Sequence, residues 1–502
     1  MRTVLNPQMQ FGTVDISKIT FDPKSRDDIP QVLRGLQYIY SHPDLRAEVF
    51  KILEENIAPG KDKKNGRPGM ELWKIFVLAV VRVNLNTDYD RLHELANNHL
   101  VMRQMMGHST VFDRSYYELQ TIKDNVQMVT PEMLDKINQV VVKAGHKLLK
   151  KKDLDPLKIR CDSFVVETNV HYPTDINLLL DAMRKIIFLT AGLCDENSIT
   201  EWRQHQYTYR KLKKLMRACQ NKKRGNPKSE EQRKKKEADL KEFHQAYINM
   251  CSALIERSIL SLGKIPDTNF MVEMKKQEIA NFMNHARRQV NQIDRRVIQG
   301  QAIPHEEKYF SVFETHTEWI SKGKAGVPVE LGLKVCVVED QYQFILHHQV
   351  MEKKTDEEIC IPLVRETKER FPEVEQASFD KGFHSPANQN DLQKLVRMPV
   401  LSRKGKLSKQ AREIEGSPEF RKARHQHSAV ESAINALEVH GLDYCPDRGI
   451  YGFKRYVSLA IVGRNLQRVG AILQGRDRKK LQKNLKKYAN VQYGHLGNRL
   501  AA

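Results

Sequence analysis

The chain has 502 residues, which is enough for two or three domains that each bury a core of their own. Lysine and arginine outnumber aspartate and glutamate by 83 to 62, so the net charge is +21 and the pI is near 9.5. Such an excess favours a polyanionic partner such as nucleic acid. It is also compatible with a basic protein that its charge keeps from aggregating.

Cysteine usage and hydropathy exclude several classes of protein. The seven cysteines are scattered, odd in number and without a CxxC pair, which argues against a disulfide framework and against structural zinc. The first residues, MRTVLNPQMQFG, contain no apolar signal segment, and the longest apolar run, Ile75–Val81, is too short to cross a bilayer. We therefore expect a cytoplasmic protein without a membrane partner.

Residues 1–150 are predicted to be helical. Apolar residues recur at helical spacing in Ile29–Tyr40, Leu45–Leu53, Leu72–Val83, Asp88–Ala96 and Pro131–Leu149, and Thr130-Pro131 is a typical helix start. A basic turn rich in glycine and proline, Lys61–Gly69 (KDKKNGRPG), separates the second helix from the third. This pattern fits a DNA-docking module and fits a dimerisation domain equally well.

Residues 157–168, LKIRCDSFVVET, are predicted to form a central strand, because they are β-branched and apolar on both faces. Asp162 lies in the middle of this strand. Aspartate is disfavoured in strands and is rarely buried unless it is paired or bound to a metal. Asp162 is therefore a candidate for metal or acid-base chemistry, with a structural salt bridge as the alternative.

The segment from Asn177 to about Gln301 is predicted to form long helices that interrupt another domain. A turn at Asn221–Lys228 breaks it, and basic clusters lie on both sides at Tyr209–Lys214, Lys222–Arg224 and Arg233–Lys236. Charge runs of this kind are usually solvated helix faces. Their concentration around one hairpin makes a phosphate-contacting arm the second interpretation.

Residues 328–401 are predicted to complete a mixed sheet. Alternating apolar residues predict a hairpin that turns at Asp340-Gln341, and a capping box at Thr355–Glu358 opens a helix. Two short strands, Val374–Asp380 and Met398–Leu401, flank a further helix that begins at Ser385-Pro386. Strand–helix–strand order implies parallel pairing, so Asp380 is expected at the carboxyl end of a parallel strand, where active sites of open sheets lie.

The last part of the chain contains the third candidate carboxylate. A basic, loop-like segment, Arg403–Lys422, precedes a helix predicted from Ser428 to Gly441, with Val430, Ile434 and Leu437 as its apolar stripe and Glu431 on a neighbouring face. Ser428-x-x-Glu431 is also a capping box, in which the glutamate would bond backbone and do no chemistry. An amphipathic helix, Arg455–Leu473, and a frayed basic tail, Arg476–Lys487, are expected to follow.

Four segments in this order resemble bacterial insertion-sequence transposases of the DDE class, in particular the long transposases left unclassified among the main families. The segments are CDSFVVETNVHYPTD (161–175), WISKGKAGVPVELGLKV (319–335), FDKGFHS (379–385) and HSAVESAINALEVHGLDYCPDRG (427–449). The resemblance covers roughly residues 155–175 and 310–470. The GRPG sequence before a long apolar helix is similar to the N-terminal domain that often precedes this catalytic domain.

The resemblance implies an α/β catalytic domain with a ribonuclease-H-like mixed sheet flanked by helices. Residues 151–176 and 302–475 would form it, residues 1–150 a helical DNA-binding or dimerisation domain, residues 177–301 a helical insertion arm, and residues 476–502 a basic tail. Asp162, Asp380 and Glu431 would be the catalytic triad and would hold two Mg²⁺ ions, with Mn²⁺ as a possible substitute. The expected partner is double-stranded DNA, at the element's terminal inverted repeats and at the target. The protein would act as a homodimer in a synaptic complex, in the bacterial cytoplasm at the nucleoid.

The resemblance also implies DNA contacts outside the triad, and at one position this sequence departs from the pattern of the family. Residues expected near phosphates are Lys322, Lys324, Lys381, Arg424 and His427, which could equally be solvated loop charges. His171 and His384 could contact a base or a phosphate as well, but they are not counted as catalytic, because isolated histidines are more often structural. Where many related transposases have a basic residue about two helical turns after the glutamate, this chain has Glu438.

Two other functions fit the same residues. A ribonuclease-H-like nuclease or resolvase would use the same fold and metal chemistry but would cleave without joining. A domesticated or inactivated transposase would bind DNA without catalysis. The retention of all three acids disfavours this function, and the Glu438 departure leaves it open.

Overall fold

The computed structural model describes residues 2–5, 11–57, 68–109, 111, 113–152, 155–267, 269–321 and 328–499, with 486–499 described by their backbone alone. The chain forms two compact units. The first contains residues 1–167 and 333–502, and the second contains residues 168–332.

The described residues form a protein of mixed α and β structure. The helices are α1 (Asp28–Ser41), α2 (Pro43–Ile57), α3 (Leu72–Asn84), α4 (Tyr89–Asn98), α5 (Leu100–Met105), α6 (Leu119–Val126), α7 (Pro131–Leu148), α8 (Asp175–Glu196), α9 (His205–Lys223), α10 (Glu230–Gly263), α11 (Phe270–Ile293), α12 (Asp356–Arg370), α13 (Pro386–Leu395), α14 (Lys409–Gly416), α15 (Pro418–His427), α16 (Ala429–Leu437) and α17 (Gly449–Arg499). The strands are β1 (Leu157–Thr168), β2 (Glu318–Ser321), β3 (Val329–Glu339), β4 (Ile345–Met351), β5 (Val374–Phe379), β6 (Met398–Leu401) and β7 (Tyr444–Cys445).

The N-terminal part is helical, as its apolar spacing predicts. Helices α1 to α4 and α7 match the five predicted segments, and the hydroxyl of Thr130 accepts a hydrogen bond from the backbone N–H of Met133, which confirms the predicted cap. The short helices α5 and α6 were not predicted. Most of the basic turn before α3, residues 61–67, lies outside the described residues.

Helix α3 is the apolar centre of this part. Every residue from Ile75 to Val81 is fully buried, and the indole N–H of Trp73 donates to the carbonyl of Met105 at 2.9 Å. A helix that is apolar on all sides needs helices around it, which α1, α2, α4 and α6 supply. Within the described ranges, no helix carries an apolar stretch of the length that a membrane span requires.

The sheet has β1 at its centre, as predicted. Its strand order is β2-β3-β1-β5-β6, with β4 paired to β3 and β7 paired to β1. Strands β3 and β4 are antiparallel, whereas β1 pairs with β5 and β5 with β6 in parallel. The predicted hairpin and the predicted parallel strands are therefore confirmed, and the sheet is mixed and flanked by helices.

Two buried asparagines cover the outer edge of β4. The side chain of Asn465 in α17 accepts from the backbone N–H of Ile345 at 3.0 Å and donates to its carbonyl at 2.8 Å. The same amide donates to the side chain of Asn138 in α7 at 2.7 Å, and Asn138 donates to the Ile345 carbonyl at 3.0 Å. An exposed strand edge is a template for unwanted pairing, so these contacts both satisfy the edge and attach α7 and α17 to the sheet.

Helix α17 is longer than the prediction, which ended it at Leu473 with a frayed tail. It runs to Arg499, and its basic continuation is held by contacts. Arg476 donates to the carbonyl of Leu148 at 2.6 Å, and Arg34 pairs with Asp477 at 3.2 Å. Helix α17 packs very close to α1 at Gly470, where a Cβ would lie 1.8 Å from the carbonyl oxygen of Gln31. This close approach requires glycine.

The segment Arg403–Lys422 is not the predicted loop throughout, because from Lys409 onward it forms α14 and the first half of α15. Ser408 and Ser417 cap these helices. A few apolar residues at helical spacing supply the packing: Phe420 and Ala423 are buried against Val400 of β6. The large number of basic residues concealed this narrow apolar face in the sequence.

The second unit is built from α8 to α11, as the helical prediction for residues 177–301 requires. Its core includes the fully buried Tyr247, whose hydroxyl donates to the carbonyl of Ile176 at 3.1 Å. The buried indole of Trp202 donates to the hydroxyl of Ser261 at 2.9 Å. In the same unit, β2 pairs antiparallel with the first four residues of β3.

We predict that Asn465→Ala lowers the free energy of unfolding of the first unit by about 2–4 kcal/mol, because it leaves the Ile345 N–H and the side-chain oxygen of Asn138 buried without the hydrogen bonds that Asn465 makes to them. Thermal and denaturant unfolding measure this loss. The matched control is Asn390→Ala, which removes an exposed asparagine from α13 and should change stability by less than about 0.5 kcal/mol. Equal effects of the two substitutions would contradict the proposed role of Asn465.

Candidate active site

The register of β1 on β5 brings two of the predicted acids side by side. Cys161 pairs in parallel with Phe379, so the next positions along the two neighbouring strands are Asp162 and Asp380. Neighbouring strands lie about 4.8 Å apart. Asp380 follows β5 directly and is exposed, at the carboxyl end of this parallel pair. Two carboxylates more than 200 positions apart in the chain are therefore neighbours.

Asp162 occupies an environment that disfavours its charge. The side chain is half-buried, and its Oδ1 accepts a hydrogen bond from the backbone N–H of Ser163 at 2.8 Å. The pKa of Asp162 is raised to about 6, mainly by burial and in part by the negative charges of Asp380, Asp356 and Glu431, against the effect of the Ser163 hydrogen bond. Asp380 and Glu431, the other two predicted acids, thus both lie within electrostatic reach of Asp162.

A fourth carboxylate, Asp356, belongs to this cluster and was missed in the sequence. Its Oδ1 accepts from the hydroxyl of Ser163 at 2.7 Å, and its Oδ2 lies 2.8 Å from the ammonium nitrogen of Lys334. The predicted capping box of α12 is present, with Glu358 accepting from the N–H of Thr355. Asp356 stands between those two residues, so in sequence it resembles an ordinary acid of a helix N-terminus.

The surroundings of Gly382 show that the carboxylates of Asp356 and Asp380 are close to each other. A Cβ on Gly382 would lie 3.7 Å from Oδ2 of Asp356 and 4.0 Å from Oδ2 of Asp380. Both oxygens therefore border the space in which a side chain at position 382 would begin. A larger side chain at this position would project into that space.

Glu431 does not form the capping box that its sequence allows. Ser428 makes no side-chain cap, since its hydroxyl donates to the carbonyl of His425 at 2.9 Å. The helical path already begins in α15, so Ser428 is a junction between α15 and α16 and has helical backbone angles. Glu431 is exposed on α16, and the capping interpretation is excluded.

Two contacts hold the end of α15 against the sheet and so position Glu431. The Nδ1 of His427 lies 3.1 Å from the hydroxyl of Ser378, two residues before Asp380 in β5. Arg160 in β1 donates to the carbonyl of Gln426 at 3.2 Å. Glu431 follows His427 by about one helical turn, or roughly 6 Å along the axis.

His427 is a hydrogen-bonding group rather than a cation at neutral pH. Burial and the nearby Arg160 lower the pKa of its imidazole, although Asp380 and Glu431 act in the opposite direction. It touches the strand that leads to Asp380, as described above. A neutral imidazole can still donate a hydrogen bond to a phosphate oxygen.

The buried face of α16 fixes the rest of this helix. Val430, Ile434 and Leu437 are buried, which confirms the predicted apolar stripe. A π-helical turn, Glu438–Leu442, follows α16 and is broken at Gly441, whose φ of +94° is a left-handed conformation that glycine adopts easily. Glu438, which stands where the resemblance implies a basic residue, is half-buried in this turn.

A buried ion-pair network holds the loop that follows. Asp447 pairs with Arg82 of α3 at 2.6 Å and with Arg455 of α17 at 2.9 Å, and all three side chains are less than a tenth exposed. Removing one partner from such a network leaves a buried charge uncompensated, which is strongly destabilising. The N-terminal helices therefore support the segment that carries Glu431.

The predicted DNA-contacting residues have different surroundings. Lys381 and Arg424 are exposed, next to Asp380 and one turn before His427 respectively. Lys322 and Lys324 lie outside the described residues. His384 is buried and accepts from the backbone N–H of Lys404 at 3.4 Å.

His171, in the second unit, also has a local partner. Its Nε2 lies 2.6 Å from Oδ2 of Asp181. This contact and the backbone bond of His384 agree with the structural role that both histidines were expected to have.

The donor chemistry of the cluster fits a hard divalent cation. Asp162, Asp356, Asp380 and Glu431 offer carboxylate oxygens, the ligands that magnesium and manganese prefer. Nevertheless, no three histidine, cysteine, aspartate or glutamate side chains of the described residues are gathered closely enough to form a ready-made metal site. The raised pKa of Asp162 indicates that a bound cation would relieve repulsion here.

Comparisons of the chain with protein-family models, with curated proteins and with solved structures find no match.

We predict that Asp162→Asn stabilises the protein at pH 8 by about 1–3 kcal/mol and has little effect at pH 4. The folded-state pKa of Asp162 is raised to about 6, so its stabilising contribution is present below its ordinary pKa near 3.8 and is lost as the pH rises through 6. Thermal unfolding from pH 4 to pH 8 measures the difference. Asp380→Asn, which removes an exposed neighbour, is the control and should change stability less. An equal loss of stability for Asp162→Asn at both pH values would contradict this account.

Proposed function

We propose that this chain is a DNA transposase of the DDE class in which Asp162, Asp380 and Glu431 form the catalytic triad. The observation that carries the proposal is the parallel register that makes Asp162 and Asp380 neighbours, with Glu431 within electrostatic reach of Asp162. Two acids that are distant in sequence are thus neighbours, and the third is exposed on a helix that is attached to the same strand.

The strand order supports a ribonuclease-H-like sheet for the catalytic domain. Such a sheet has its first strand at the centre, antiparallel strands on one side and parallel strands on the other. Here β1 lies between β3, which is antiparallel to β4, and β5, which is parallel to β6. The second aspartate follows the strand next to β1, as this fold requires.

The side chains of the cluster would share the work of binding cations and DNA. Asp162, half-buried between the strands, would hold a cation jointly with Asp380, and Glu431 would approach from α16. When bound there, two magnesium ions supply charge stabilisation for the attacking and leaving oxygens of a phosphodiester. Lys381 and Arg424, both exposed, would contact phosphate oxygens of the DNA.

The proposed reaction has two displacements at phosphorus. In the first, water attacks the phosphodiester at the element's end, and the bond from phosphorus to the 3′-oxygen breaks, which frees a 3′-hydroxyl. In the second, this hydroxyl attacks a target phosphodiester, and one P–O bond forms as another breaks. The chain's residues would orient the phosphate and stabilise charge, with no covalent enzyme intermediate. Two copies holding two DNA ends would form the synaptic complex.

We predict that Asp162→Asn, Asp380→Asn and Glu431→Gln each reduce DNA cleavage by at least about a thousandfold, because each removes a group that stabilises transition-state charge. Binding to the same DNA should change by less than about tenfold. The substrates are labelled duplexes carrying the DNA that flanks the coding sequence on each side, incubated with Mg²⁺ or Mn²⁺. The matched control is Glu419→Gln, which removes an exposed carboxylate from α15 and should cleave as the wild type does.

A strand-transfer assay with pre-cut ends completes this test. Joined products support the transposase, whereas cleavage without joining would identify a nuclease or resolvase. Cleavage by Asp380→Asn at the wild-type rate would rule out the triad. Binding without any cleavage by the wild type would favour the non-catalytic alternative.

A further inference from the structure

One short part of the second unit carries more than half of the chain's net charge. Residues 203–236 contain fourteen lysines and arginines and two glutamates, a net charge of +12 out of +21 for the whole chain. This segment comprises α9, the turn after it and the beginning of α10. Eleven of the fourteen basic residues are exposed.

Four exposed basic residues of α9 lie on one face of the helix. Arg210, Lys211, Lys214 and Arg217, which we call the α9 basic stripe, are three or four residues apart or adjacent, and all four are exposed. The opposite face is apolar and buried, with Leu212, Met216 and Cys219 less than a tenth exposed. The helix is therefore anchored by one side and presents its charge on the other.

The charge of the α9 basic stripe is not compensated by acids. Among the described residues, none of its four side chains lies within 4 Å of an aspartate or glutamate oxygen, in contrast to other cations of the same unit. Four basic residues of α8 and α11 have such partners: Lys185 with Glu278, Lys275 with Glu196, Lys276 with Asp267 and Arg287 with Glu256. Like charges at these helical spacings repel one another, each pair costing about 0.2–0.5 kcal/mol.

The stripe continues into the turn that joins α9 to α10. Lys223, Arg224 and Lys228 are exposed there, and Lys236 holds the turn by donating to the carbonyls of Lys223 and Gly225 at 2.9 and 2.6 Å. From Arg210 to Arg224 the basic surface is roughly 21 Å long at 1.5 Å per residue. That length corresponds to about six base pairs of duplex DNA.

We infer that the α9 basic stripe and the adjoining turn form a phosphate-contacting surface for duplex DNA, separate from the carboxylate cluster. The inference deepens the proposed function, on which it rests, by assigning DNA binding to a surface of the second unit. Charge complementarity identifies the occupant: a row of unpaired cations fits a polyanion with closely spaced phosphates. Contacts of this kind are independent of base sequence, so the surface holds DNA without choosing the site.

The test compares two variants that lose the same charge from the same unit. The stripe variant is Arg210→Gln/Lys211→Gln/Lys214→Gln/Arg217→Gln, and the matched control is Lys185→Gln/Lys275→Gln/Lys276→Gln/Arg287→Gln. Fluorescence anisotropy with a labelled 30-base-pair duplex gives the dissociation constant from about 50 to 300 mM salt. Thermal unfolding checks that both full-length variants fold.

We predict that the stripe variant binds at least about tenfold more weakly at 100 mM salt and that its slope of log K against log salt is smaller by about 3–4. The control should keep the wild-type slope within about 1. The unfolding temperature of the stripe variant should stay the same or rise, because like-charge repulsion is removed.

Several outcomes would overturn the inference. One is an unchanged slope of log K against log salt in the stripe variant, and another is an equal loss of DNA affinity in the control variant. The third is the absence of salt-dependent duplex binding by the wild type. Tighter binding to duplex RNA of the same sequence would overturn the choice of occupant. DNA cleavage is assayed on the same preparations. If the salt slope depends on the stripe but the wild type does not cleave, the proposed function alone is refuted. If the wild type cleaves but the stripe variant keeps the wild-type salt slope, the α9 surface alone is refuted.

Discussion

The parallel pairing of β1 with β5 is the constraint on which the candidate site depends. Because side chains alternate between faces along a strand, a shift of one residue in this register would turn Asp162 away from its neighbours. The register is set by buried residues on both strands, including Ile159, Cys161 and Phe379. The apolar core of the sheet therefore determines which carboxylates meet, and the chemistry follows from the packing.

Gathering carboxylates costs stability, and the surroundings of Asp162 offset part of that cost. Ser163 donates to Asp162 through its backbone and to Asp356 through its hydroxyl, while Lys334 neutralises Asp356. The raised pKa of Asp162 reflects its burial first and the remaining repulsion from the other carboxylates second. A site that binds cations and phosphate is expected to be less than optimally stable without them, since activity requires charge that folding disfavours.

Much of the sheet could be predicted from the sequence, because period-two alternation and short β-branched segments are strong local signals. The central position of β1, the hairpin and the parallel strand before Asp380 followed from them. The basic segment before Glu431 could not be recognised as helical, since only a few residues such as Phe420 and Ala423 carry its packing. Asp356 could not be recognised as a site residue from the sequence, because it lies between Thr355 and Glu358, which form a capping box. The role of Ser428 depends on α15 continuing into α16, which is a matter of tertiary packing.

The central claim is that Asp162 and Asp380 share a divalent cation that serves phosphodiester chemistry. The most direct measurement is the anomalous scattering of Mn²⁺ in crystals of the protein with a duplex DNA end. The account predicts a manganese peak about 2.0–2.6 Å from carboxylate oxygens of both Asp162 and Asp380. Manganese bound only elsewhere, or an end held with no manganese at these two residues, would contradict it.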